Sequence, residues 1–150
     1  MTLSADILPM VLSTVLGTLV GFERQMGRKP AGLRTHTLVC LGSTLFVLLT
    51  NHAVLDAVGA SAHLSLDPTR IIHGVITGVG FLGAGSILRH EGFVLGLTTA
   101  ASIWMVAAIG AAAGVEAYTL AVVGAALALI VLRGYRRVER WLAPEDEHGG

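Results

Sequence analysis

Charge is what this sequence has least of. Asp, Glu, Lys and Arg make up 13% of the 150 residues, about half the share of a soluble domain. The charges are also missing from long blocks rather than thinned evenly along the chain. A single cysteine, Cys40, excludes an internal disulfide framework and a multi-cysteine metal centre. Net charge is zero, so no overall field draws nucleic acid or an acidic partner. No Lys or Arg precedes the first apolar run, which argues against a cleavable signal peptide. There is no Walker loop and no nucleophile–base pair. Gly78-x-Gly80-x-x-Gly83 has the letters of a dinucleotide fingerprint, but it lies inside an apolar run rather than after a strand. No enzyme chemistry and no cofactor is expected.

What is abundant is apolar surface, with 53% hydrophobic residues and a mean hydropathy of +0.73. Apolar blocks near twenty residues long read as transmembrane helices. The sequence therefore predicts an all-α polytopic membrane protein with five spans. They run from about Ile7 to Phe22, Thr35 to Leu55, Ile71 to Leu88, Leu97 to Ala113 and Tyr118 to Leu132. The five-helix domain covers residues 1–133, and residues 134–150 form a short tail. Asp67-Pro68 supplies an N-cap and a first-turn proline for span three. Arg89-His-Glu-Gly92 reads as a tight polar turn, and the short link at Val115-Glu116-Ala117 makes spans four and five an antiparallel hairpin.

Orientation follows from counting. The first loop, the third loop and the C-terminal segment hold nine of the ten lysines and arginines, and Arg70 alone falls in the other two loops. The positive-inside rule then puts the N-terminus outside and the C-terminus in the cytoplasm. Gly27 and Glu91 are expected inside, and Ser61 outside. A shift of 64 residues aligns Gly21 with Gly85, and Gly32-Leu33-x-Thr35 with Gly96-Leu97-x-Thr99. The two units would be parallel repeats.

The chain is organised around span three, where Gly78, Gly80, Gly83 and Gly85 fall within eight residues. In a membrane, residues without side chains let another helix approach closely, so a tightly packed central helix is the favoured expectation. The alternative is a helix that breaks there and offers backbone groups to an ion. Gly17 and Gly21 form a second close-approach pair.

No Asp, Glu, Lys or Arg lies mid-span, which argues against an ion-coupled pump. The ionisable residues gather instead at the cytoplasmic face. Glu23, Arg24, Arg34, Thr35, His36 and Arg89, with Thr98 and Thr99 if the repeat holds, form a candidate polar cluster at the mouth of the bundle. Interfacial anchoring is the plainer reading of the same residues. If Glu23 is buried there, its expected partners are Arg24, Arg34 or Arg89. His36 and Cys40 share a helix face but make half a metal site at best, so no metal centre is expected. His73 is a lone span histidine, suited to bonding a neighbouring helix or to sensing pH.

Several motifs resemble one family. Gly21-Phe-Glu-Arg-Gln25, Pro30-Ala-Gly-Leu-Arg-Thr-His36, Leu38-Val39 and Leu41-Gly42-Ser43 are similar to the MgtC/SapB family of bacterial membrane proteins. So are Asp67-Pro-x-Arg70, Gly78-x-Gly-Phe-Leu-Gly-Ala-Gly85, Gly96-Leu-Thr-Thr-Ala-Ala101 and Ala108-Ile-Gly110. The resemblance implies five inner-membrane helices in the short, SapB-like form without a soluble domain. It also implies a role in growth at low magnesium and in stress, with restraint of the ATP synthase. The function expected is a non-enzymatic membrane protein in the lipid bilayer that binds itself or another membrane protein. A small ion channel or transporter built on the glycine-rich helix is the alternative.

Overall fold

The computed structural model describes residues 3–59, 69–90 and 93–142. Five helices form in the expected order: α1 (Leu3–Met26), α2 (Leu33–Gly59), α3 (Thr69–Gly85), α4 (Leu97–Gly114) and α5 (Tyr118–Leu142). A small antiparallel hairpin, β1 (Leu88–His90) and β2 (Phe93–Leu95), joins α3 to α4 and pairs Arg89 with Val94. Asp67-Pro68, Ser61 and Glu91 lie outside the described residues.

The helices overrun their apolar blocks. The first continues past Phe22 through Glu23 and Arg24 to Met26, and the fifth continues past Leu132 to Leu142. Glu and Arg are good helix formers, so losing hydropathy does not stop a helix. Hydropathy marks the solvent, not the backbone. Span three goes the other way and ends three residues before the expected Leu88. The Ser86 amide and hydroxyl both bond the Gly83 carbonyl, at 3.0 and 2.7 Å, and the Ile87 amide bonds Ala84 at 3.1 Å. These bonds cap α3 at Gly85, and Leu88 starts a strand. Among the described residues, four helices are long and apolar enough to cross a bilayer: Asp6–Met26, Leu33–Val54, Leu97–Gly114 and Tyr118–Val138. The apolar part of α3, Ile72–Gly85, is shorter.

Cross-helix contacts fix the directions. Thr18 meets Thr37 and Asp6 meets His52, so α1 and α2 are antiparallel. His36 bonds Ser102 and Thr44 bonds Gly110, so α2 and α4 run the same way. The first residues of these two helices, Leu33 and Leu97, stand at the 64-residue offset of the repeat.

The core lies where α1, α2, α4 and α5 meet, around Val20, Cys40, Val106, Ala113 and Ala121. Missing side chains bring the backbones together. A methyl group on Gly17 would come within 2.7 Å of the Cys40 Cβ, and one on Gly114 within 2.7 Å of the Val47 Cβ. On Gly110 it would overlap the Cys40 carbonyl. By contrast α3 is an unbroken helix that packs on α4 and only lightly on α2. A Cβ on Gly74, Gly78, Gly80 or Gly85 would meet nothing within 4 Å, and one on Gly83 only Ala100, at 3.6 Å. The glycine-rich helix is thus neither broken nor tightly packed within one copy. The close-packing role falls to the glycines of α1 and α4.

Candidate functional site

The last turn of α1 carries Glu23 and Arg24 inward. Both side chains are 2% exposed, although the two follow an apolar block and lie next to a basic loop. Glu23 accepts a hydrogen bond from Arg136 Nη2 on α5 at 2.8 Å, and Arg24 Nε stands 3.7 Å from its other oxygen. Glu23 Oε2 and Arg24 Nε have no hydrogen-bond partner among the described residues. One carboxylate therefore sits between two guanidinium groups, in a place largely closed to solvent. Pairing of this kind is what makes a buried charge tolerable.

His36 adjoins this pair. It is fully buried in the first turn and a half of α2. Its Nδ1 donates to the Gly32 carbonyl at 2.8 Å, and its Nε2 lies 2.9 Å from Ser102 Oγ on α4. Ser102 in turn reaches the Thr99 carbonyl at 2.8 Å. The hydroxyl has one proton, which goes either to Nε2 or to that carbonyl. A neutral imidazole takes it at Nε2, and an imidazolium donates from Nε2 and leaves the hydroxyl to Thr99. The chain His36–Ser102–Thr99 can accommodate either protonation state of the imidazole without moving a helix.

The structure brings together Glu23, Arg24, His36 and Thr99 of the expected cluster. Arg34, Arg89 and Thr98 are exposed, and Thr35 is half-buried. Glu23 pairs with neither Arg34 nor Arg89. The reason is angular: Arg34 and His36 are two residues apart, which turns them to opposite sides of α2. Arg136 and Ser102 were not expected. Arg136 follows Arg133 by three residues in a basic run that reads equally as a solvated tail, and Ser102 is one small polar residue among many. No group of three His, Cys, Asp or Glu side chains that could hold a metal occurs among the described residues.

The opposite end of the bundle carries a lighter link, His52 Nε2 to Asp6 Oδ2 at 3.0 Å. On α3, His73 is exposed instead of bonding a neighbouring helix.

Apolar helices of spanning length, with ionisable groups gathered at one end of the bundle, define a polytopic membrane protein. Comparison with known proteins narrows this. The MgtC family model matches residues 10–141, and the chain belongs to that family. It is 41% identical over 142 residues to a putative magnesium transporter, YhiD, of Escherichia coli K12, covering 95% of this chain and 66% of that protein. It is 40% identical to protein SrpB of Synechococcus elongatus, covering 89% of this chain and 77% of that protein. It is 45% identical to protein MgtC of Brucella abortus over 101 residues, covering 67% of this chain and 38% of that protein. The chain thus spans just under two thirds of YhiD and a smaller part of MgtC. No solved structure matches it.

Proposed function

We propose that this chain is a non-enzymatic protein of the bacterial inner membrane that serves adaptation to magnesium limitation by binding a membrane partner through α3. The partner is a second copy of the chain or another membrane protein such as the ATP synthase. One observation carries this reading. His73, Thr77, Gly80 and Ala84 recur on one face of α3, and all four are exposed. Thr77 is satisfied by its own helix, donating to the His73 carbonyl at 2.8 Å. The imidazole, exposed on an apolar helix, gains most from a neighbour. Small residues beside it permit close approach of another helix.

Cross-linking in native membranes followed by mild-detergent purification tests the reading. A disulfide or photo-cross-link at Ala84 should capture a second copy or an ATP synthase subunit, and Gly80→Leu should abolish the capture. Finding neither product overturns it.

The name of the E. coli relative supports a second reading, in which the bundle conducts or carries Mg²⁺. That ion sheds water reluctantly and is usually held through carboxylates, whereas Glu23 is already engaged by Arg136. Purified protein in liposomes that gives no flux of Mg²⁺, K⁺, H⁺ or phosphate eliminates it. The basic end is taken as cytoplasmic. A cysteine at Gly27 should label from the inside and one at Ser61 from the outside.

A further inference from the structure

A groove of about 740 Å³ runs between α2 and α3, on a different side of α3 from His73 and Gly80 and away from the Glu23 cluster. It is deep because Gly42, Gly74 and Gly78 line it, and a Cβ on any of the three would meet nothing within 4 Å. Its walls are otherwise almost wholly apolar, with Phe46 and Leu82 among them. Ser43 adds no free group, because its hydroxyl donates to the Val39 carbonyl at 2.9 Å. The exception is Arg70, exposed in the first turn of α3 and without an ion-pair partner among the described residues.

From Arg70 to Leu82 the helix climbs about 18 Å at 1.5 Å per residue. That is close to the depth of one leaflet, about half of the ~30 Å hydrocarbon core. A polar solute finds nothing to bond along these walls, whereas a hydrocarbon chain needs nothing. A cation at the interfacial end selects for the charge at the head of that chain.

We propose that this groove holds an acyl chain of an anionic phospholipid, with the lipid phosphate paired to Arg70. The other apolar object of suitable width is α3 of a second copy. Charge weighs against it. A copy seated in the groove itself about a two-fold axis along the bundle would bring its Arg70 against the Arg70 that lines the groove, and α3 carries no acidic residue to offset the repulsion. A phospholipid brings the opposite sign to the same place. The proposal concerns a different surface from the partner face and stands without it.

Native mass spectrometry of the purified protein, with phosphatidylglycerol and phosphatidylcholine titrated into the detergent, tests it. Wild type should retain phosphatidylglycerol preferentially. Arg70→Gln should cut that preference about five-fold, the factor of one basic residue near an anionic surface. Arg89→Gln, at the other end of α3, should leave the preference intact. Gly78→Leu puts bulk into the groove at a position where a Cβ meets nothing within 4 Å, and should lower retention of both lipids alike. An unchanged preference in Arg70→Gln overturns the proposal. Unchanged lipid retention in Gly78→Leu overturns it too, and a simultaneous loss of dimer in that variant would assign the groove to a second copy.

Discussion

A methyl group added to Gly110 would collide with the backbone of α2, whereas one added to Gly78, Gly80 or Gly85 would meet nothing within 4 Å. The same residue does opposite work in two parts of one bundle. In α1 and α4, glycine is the contact itself: Gly17 and Gly21 seat α2, and Gly110 and Gly114 seat it from the other side. In α3, glycine leaves surface uncovered, on a helix flanked by two apolar clefts. Membrane helices gain little from burying apolar side chains away from lipid that is equally apolar, so close backbone approach and interhelical hydrogen bonds hold them. By that measure α1, α2 and α4 are a fixed frame, and α3 is an element with surface left for something else.

The comparison can be broken at its strongest point first. Glu23→Gln removes the carboxylate beside the buried Arg24, and losing one partner of a buried ionic group costs about 3–5 kcal/mol. Thermal unfolding in detergent should register a large drop, while Arg28→Gln, on an exposed side chain of the adjoining loop, should barely register. Equal small shifts would return the cluster to simple interfacial anchoring.

Next come paired glycine substitutions. Gly110→Ala forces apart two backbones and should cost about 1–3 kcal/mol, as overpacking generally does. Gly78→Ala should cost nothing, and the better helix propensity of alanine works in its favour. If both variants melt at the same temperature, the distinction between frame and free helix fails. The smallest expected effect belongs to Thr44→Val. Thr44 donates across to the Gly110 carbonyl at 2.8 Å, and interhelical bonds of this kind in a membrane average about 0.6 kcal/mol. Thr50→Val should show no change, since that hydroxyl bonds only its own helix, at the Phe46 carbonyl.

Much of this architecture was legible in the chain. Blocks of hydropathy set the number and order of the helices, because a backbone in hydrocarbon has few ways to satisfy itself. The gathering of Glu23, Arg24 and His36 near one end was also legible, since each directly adjoins an apolar block. The partner of Glu23 was not. Arg136 lies 113 residues away, and nothing in the basic run of α5 distinguishes the guanidinium that reaches Glu23.

The packing of span three within one copy was not legible, for a related reason. A cluster of glycines states that a helix can be approached closely, on whichever face the glycines fall. The approach itself belongs to the neighbour. The sequence by itself determined the helices, their order and the crowding of nine of ten cationic residues toward three segments, because these depend on local hydropathy and charge alone. Only the tertiary structure decided that Gly110 touches α2 while Gly78 touches nothing, and that His36 faces Ser102 while Arg34 faces outward. Those outcomes depend on the rotation of each helix about its own axis. That rotation is fixed by packing between segments far apart in the chain.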